Sequence, residues 1–390
     1  MEAALLGDLA TPTDPRRAPL SQRAGESTRA GDPVLARALE SALRHRERAS
    51  RATHGFHTYP AGLHPDAARE LLALGEGPVL DPFCGGGTVL VEALLAGRDA
   101  LGLDISPIAA LVARGRTART DDAARTALRS GARRAAEAAL RPPPAHDVPD
   151  GVNDWYEPHV LAELCALRDH LGDNPLLELV FSAILVKVSR RQSDTSNIRV
   201  DAARPPGTVA TLFHKKAREL ARMLEELETS APAGVRARVH REDAREFRGK
   251  GAYGQIVTSP PYPGVYDYVP LQQLRLAWLG LDASGAFREE IGARRSFRVD
   301  RRAAAEVWRE DQRKWVKAAS RALRIGGRLI VVIGDGMVGG RRIDTIGPLI
   351  ESAREFGFYR DAAVTVERWD EGVDANRPEH VVCFTRVAEG

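Results

Sequence analysis

Three short stretches of this chain carry residue types that could act on one ligand: DPFCGGGT (Asp81 to Thr88), GLD ending at Asp104, and TSPPY (Thr258 to Tyr262). Where a strand turns into a helix, glycines such as Gly85, Gly86 and Gly87 let backbone approach a ligand that a Cβ would exclude, with helix amides aimed at it. Asp104 ends the next strand of the pattern, where a carboxylate accepts hydrogen bonds from two ribose hydroxyls. Asp81 heads the loop, and its charge repels a pyrophosphate but receives an ammonium. The loop therefore favours a nucleoside cofactor that carries an amino acid, S-adenosylmethionine, over a dinucleotide with its GxGxxG fingerprint. The plainer alternative is a glycine turn that only packs helix on strand.

TSPPY poses a different question. Pro260 and Pro261 restrict φ and remove two N–H donors, so the corner presents carbonyls in a fixed direction beside the Ser259 hydroxyl and the Tyr262 ring. Alone, SPPY reads as a proline turn. At the end of a strand in the same sheet as the glycine loop, it faces the crevice where open α/β sheets bind ligands. Cys84 lies inside the glycine loop rather than beside the corner, so it reads as a packing residue and not as a thiolate nucleophile.

These pieces need elements to position them. GPVLD, the glycine turn, VLVEALLAGR and DALGLD form a strand, turn, helix and strand, the opening of a doubly wound α/β sheet. Strand patterns resume at VRARVH, GQIVTS, GGRLIVVIGD, AAVTVER and HVVCFTR. Residues 1–50 read as a loose arm followed by a helix, 51–118 as the first part of the sheet domain, 119–234 as a mainly helical insertion, and 235–390 as the second part. LLELVFSAILVKV is too short and too charged to span a membrane and reads as a buried helix.

Composition bounds the partners. Hydrophobic residues are 43% and charged residues 28%, an ordinary globular balance, and the net charge of +3 leaves nucleic-acid binding to a local patch. Three cysteines without CxxC spacing argue against a structural zinc site or a disulfide framework, and fit a reducing cytosol. No metal is expected, and the first residues lack the pattern of a signal peptide.

DPFCGGGT, GLDISP and TSPPY together resemble the amino-methyltransferase family of DNA methyltransferases, over roughly residues 55 to 112 and 235 to 386. The resemblance implies a class I S-adenosylmethionine-dependent methyltransferase sheet of Rossmann-like type with a helical insertion. It implies methylation of an exocyclic amine in DNA on a flipped-out base, in the cytoplasm at the nucleoid, with a companion restriction enzyme as a possible partner. Ser259 and the Pro260 carbonyl are then the acceptors that orient a conjugated, weakly nucleophilic amine, Pro261 stiffens the corner, and Tyr262 offers a stacking face. Serine at the head of the motif points to cytosine N4 before adenine N6. RNA, a small conjugated amine, or a binding protein without turnover are the remaining readings.

The same resemblance marks Tyr59, Pro60, Asp81, Pro82, Phe83, Gly85, Gly87, Thr88, Asp104, Ile105, Asp243 and Ala244 as cofactor-binding. Tyr59 and Pro60 equally suit a loop that covers the sheet, and Asp243 equally suits a surface carboxylate. Asp243 also follows the insertion, where the family's order places it before, which puts the insertion's role in target recognition in question. Asp267 and Tyr268 follow the corner closely enough to line a pocket. Arg191 in SRRQSDTSNIR, and Arg294 and Arg295 in FREEIGARRSFRVDRR, suit phosphate contacts or solvated faces. RPEHVVCFTR reads as a final strand with little chemistry of its own.

Overall fold

The apolar runs between glycine and proline turns become one large sheet in the computed structural model, which describes residues 23–45, 51–60, 62–144, 146–194, 196–200, 203–369 and 377–387. The first elements are β1 (Arg23–Gly31), α1 (Pro33–Arg44), α2 (Pro65–Leu72), β2 (Val79–Asp81), α3 (Thr88–Leu95), β3 (Ala100–Asp104) and α4 (Pro107–Arg116). Next come α5 (Asp122–Ala139), α6 (Pro158–Arg168), α7 (Pro175–Val188), a hairpin of β4 (Arg191–Ser193) and β5 (Ser196–Arg199), and α8 (Thr208–Ser230). The chain returns to the sheet through β6 (Ala237–Arg241) and β7 (Tyr253–Thr258). Five helices follow: α9 (Tyr268–Leu271), α10 (Gln273–Leu279), α11 (Ser284–Glu289), α12 (Arg294–Val299) and α13 (Arg301–Ala322). The last elements are β8 (Leu323–Gly334), β9 (Gly336–Val338), β10 (Arg341–Ile343), α14 (Ile346–Glu355), β11 (Phe358–Trp369) and β12 (Glu379–Arg386).

The large sheet has the order β1-β11-β12-β8-β7-β2-β3-β6. Strands β6, β3, β2, β7 and β8 are parallel, and β12, β11 and β1 continue the sheet by antiparallel pairing. The chain moves outward from β2 through β3 to β6 and then returns to the other side of β2 as β7. This reversal creates a topological switch point between β2 and β7, with both carboxyl ends opening on the same edge. One face of the sheet packs on α1, α2 and α3 through residues such as Leu39, Leu71 and Leu90, and the other packs on α13 and α14 through Trp315, Val316 and Leu349.

The helical stretch after α4 forms its own core, in which Leu128, Leu164, Phe181 and Phe213 are fully buried. The run LLELVFSAILVKV is its central helix, α7, started by Pro175 and by an Asn174 side chain that accepts from the amides of Leu176 and Leu177. Among the described residues no helix is long and apolar enough to cross a membrane.

Two expectations change. Residues 23–31 lie within the expected loose arm, yet they form β1, which pairs with β11 and covers its outer side. The rest of that arm, residues 1–22, lies outside the described residues. SRRQSDTSNIR, expected as a polar loop, holds the hairpin β4–β5, because its polar side chains find partners inside the fold.

Candidate active site

The glycine loop begins where β2 ends and closes where α3 begins. Gly85 and Gly87 have φ of +48° and +79°, a conformation that costs other residues strain. Gly87 also caps α3, without a side-chain hydrogen bond to the first-turn amides. Most other long helices differ: α1, α4, α5, α7 and α13 are capped by Asp32, Ser106, Asp121, Asn174 and Asp300. The α3 amides are thus left for a ligand or for water. Thr88, the first residue of α3, is buried, as are Pro60 and Pro82. Cys84 is buried too, and burial holds its thiol far above the ordinary range, which suits packing and not nucleophilic attack.

Asp104 lies beside this loop at the end of β3. Its Oδ2 accepts from the Gly85 amide at 3.0 Å and its Oδ1 from the Ser106 amide at 2.8 Å. Each oxygen keeps a second lone pair, as the recognition of two ribose hydroxyls requires. Burial pushes the Asp104 carboxyl up to about 6, against the two amides. Ile105, the next residue, is partly exposed at the same strand end. Tyr59 lies against the loop: a Cβ on Gly85 would stand 3.2 Å from its ring and one on Gly86 3.1 Å from its Cβ. Its hydroxyl shares a hydrogen bond with Ser106.

The proline corner meets the loop across the switch point. Thr258, the last residue of β7, is fully buried, and its hydroxyl donates to Asp81 Oδ1 at 2.7 Å. The Phe83 amide reaches the same oxygen at 3.2 Å, and Oδ2 accepts no hydrogen bond among the described residues. Burial raises Asp81 to about 7, opposed by these two donors. Ser259 and Pro261 are partly exposed and Pro260 is buried, and the Ser259 side chain shares a hydrogen bond with the Tyr262 hydroxyl. The Tyr262 ring packs over Gly334, where a Cβ would fall 2.6 Å from Cε2, and its hydroxyl donates to Glu379 Oε1 at 3.0 Å. Glu379 is held in turn by Arg368 Nε and Nη2, at 3.0 and 2.7 Å. The final strand therefore does contribute to the corner, contrary to its sequence reading, because Glu379 at the start of β12 fixes the tyrosine. No sequence spacing pointed to it, since β12 reaches the corner only through sheet pairing.

Tyr268 lies near enough to Tyr59, Tyr262 and Asp104 to interact electrostatically with all three, so it belongs to the same crevice. Phe83 turns the other way and meets Trp315 of α13 edge-on. Asp243 lies two residues beyond β6, and its carboxylate accepts from Arg245, which donates from its amide and guanidinium and also pairs with Asp311 at 2.7 Å. This carboxylate therefore carries a structural ion pair, and the adjacent Ala244 is buried in the core. Asp267, Arg294 and Arg295 form one ion-paired group, with Arg295 also bound to Glu290 and stacked on Phe287. Arg294 is the exposed member of the pair.

Arg191 contradicts its expected role. It is 4% exposed, and its guanidinium donates to the carbonyls of Ser196 and Leu271, both at 2.7 Å. A third, longer bond runs from Nη2 to the Asp194 carbonyl, so the guanidinium is turned into the fold, where it pins the hairpin to the segment after the proline corner. Arg275 and Asp194, a buried ion pair between α10 and the same hairpin, strengthen this joint.

Five parallel strands with the switch point at the glycine loop, followed past β8 by the antiparallel β12 and then by β11, which runs with the five, define the class I S-adenosylmethionine-dependent methyltransferase fold. The loop fits that cofactor: the glycine cradle excludes Cβ atoms, Asp104 keeps acceptors for a ribose, and Asp81 keeps an oxygen for an ammonium.

Comparison with known proteins is consistent. The family UPF0020, an RMKL-like methyltransferase domain, matches residues 55–134, a span that includes the glycine loop and Asp104 but ends before TSPPY. The type II methyltransferase M.MvaI of Kocuria varians is 37% identical over 71 residues, which are 17% of this chain and 16% of that enzyme's length. Among solved structures, TrmN from Thermus thermophilus covers 84% of this chain and 50% of its own at 16% identity and a TM-score of 0.34. A methyltransferase from Methanosarcina mazei covers 80% and 94% at 10% identity and a TM-score of 0.32. The fold assignment rests on strand order and not on these distant structural likenesses.

Proposed function

We propose that this protein transfers a methyl group from S-adenosylmethionine to the exocyclic N4 amine of cytosine in DNA. The observation that carries the reading is the Thr258–Asp81 hydrogen bond, which ties the proline corner to the head of the glycine loop. A methyl donor in the loop and an amine at the corner then share one crevice. The 37% identical stretch of a type II methyltransferase supports the methyl-transfer part, and the serine at the head of SPPY supports cytosine.

The bound cofactor supplies an electrophilic methyl on a sulfonium. Gly85, Gly87, Asp104 and Tyr59 hold its nucleoside and amino-acid parts. Ser259 Oγ and the Pro260 carbonyl accept the hydrogens of the amine, which turns its lone pair out of conjugation and toward the methyl. Tyr262, fixed by Glu379, borders the base.

Labelled methyl transfer to duplex DNA, single-stranded DNA, RNA and free nucleosides, followed by mass analysis of the nucleosides, tests the reading. N4-methylcytosine from DNA is the expected product. Methyladenine alone would transfer the reading to adenine N6, and labelling of only RNA or a free nucleoside would replace the DNA substrate.

A further inference from the structure

Arg116 ends α4 beneath the glycine turn and is 4% exposed. A Cβ on Gly86 would stand 2.9 Å from its Nη1, so the guanidinium presses on the loop itself. Nη2 donates to His54 Nδ1 at 2.9 Å, and Nε has no partner among the described residues. No carboxylate of the described residues lies within ion-pair distance of it. Other interior arginines have their donors met: Arg275 meets Asp194, Arg245 meets Asp243 and Asp311, Arg368 meets Glu379, and Arg191 meets backbone carbonyls. A buried cation without a counter-ion is costly unless an anion arrives.

The surroundings orient this charge without neutralising it. His54 Nε2 lies 2.5 Å from Glu92 Oε1, so a neutral His54 keeps its proton on Nε2 and offers the Nδ1 lone pair to Arg116. Burial, reinforced by the Arg116 charge against the pull of Glu92, holds His54 below its ordinary range. Thr53 Oγ1 donates to the Arg116 carbonyl at 2.7 Å and fixes the end of the helix. The segment before the first parallel strand thus aims a guanidinium at the loop, while Asp81 at the loop's head keeps Oδ2 without a donor among the described residues.

We infer that Arg116 receives the α-carboxylate of the cofactor's methionine moiety while Asp81 receives its ammonium, so the two charges of the zwitterion are met on the same loop. The inference rests on the S-adenosylmethionine reading of the loop. Arginine suits the task because its planar fork pairs with a carboxylate through two hydrogen bonds.

Calorimetric titration of the full chain with S-adenosylhomocysteine, its decarboxylated analogue and 5′-methylthioadenosine tests it. The wild type is expected to bind S-adenosylhomocysteine at least about tenfold more tightly than the decarboxylated analogue. Arg116→Gln is expected to erase that preference, leaving the other two ligands within about twofold of the wild type. Arg116→Lys, which keeps charge and much of the volume, retains part of the preference and carries the test if Arg116→Gln does not fold. A wild type that binds both amino-acid ligands equally overturns the inference, as does a variant that loses all three ligands alike or keeps the preference. Binding of none of the three by the wild type would instead sink the cofactor reading.

Discussion

Thr258 Oγ1 donates a 2.7 Å hydrogen bond to Asp81 Oδ1. The bond spans the switch point of the sheet, so the last residue of β7 and the last residue of β2 share one proton contact inside the crevice. It joins the two motifs physically.

Thr258→Val keeps the shape of this side chain and removes the donor. Asp81 then loses one of two hydrogen bonds in a buried site, which costs about 1–3 kcal/mol. Urea unfolding should show a drop of that size, and calorimetry should show weaker binding of S-adenosylhomocysteine near neutral pH, since protonated Asp81 attracts an ammonium less. Unchanged affinity would mean that Asp81 does not meet the ligand.

The pH dependence of binding follows from Asp81 and Asp104, raised by burial to about 7 and about 6. Their folded values lie above the unfolded 3.8, so between these limits the native state holds more protons than the unfolded chain. Stability of the ligand-free protein from these groups is therefore greatest below pH 3.8 and is lost as pH rises toward 7. Cofactor binding runs the other way, because ammonium and ribose hydroxyls favour the ionised carboxylates. Affinity for S-adenosylhomocysteine should rise about twentyfold from pH 6 to its plateau above about 8. In Asp81→Asn only the roughly twofold rise owed to Asp104 should remain, which would assign the larger part to Asp81.

At the corner, Ser259→Ala removes a side-chain acceptor and leaves the cofactor loop intact. The expected result is a fall in kcat of about 10²-fold with S-adenosylhomocysteine affinity within twofold. Tyr262→Phe keeps the ring but cuts its ties to Glu379 and Ser259, and a loss of about tenfold or less is expected. Single-turnover kinetics with labelled cofactor separates these effects from product release.

The arginines separate by burial. Arg191→Ala leaves the carbonyls of Ser196 and Leu271 without a buried donor and should lower stability by about 2–4 kcal/mol. Arg294→Ala and Arg298→Ala replace exposed residues of α12, the latter one turn further along it, and should leave stability nearly unchanged. If this face follows a DNA backbone, each should reduce the slope of log affinity against log salt by about one. Salt titration of duplex binding by fluorescence anisotropy measures it, and unchanged slopes would place the DNA elsewhere.

Much of the site was legible in the chain. DPFCGGGT and GLD form a local unit whose residues are held by one strand, one turn and one helix, so spacing alone placed Asp104 beside Gly85. TSPPY was legible as a rigid strand end because proline chemistry is local. By itself, the sequence determined these elements and the residue types they carry.

Tertiary structure decided which of them meet and which charges are spent. Only the strand order sets Thr258 against Asp81, and only sheet pairing carries Glu379 to Tyr262. Arg191, Arg294 and Arg116 look alike in a sequence, yet one is bound by backbone carbonyls, one is exposed beside Asp267, and one lies buried beneath Gly86 with no ion pair among the described residues. A charge reveals its role through its burial and its partners, and both come from residues distant along the chain.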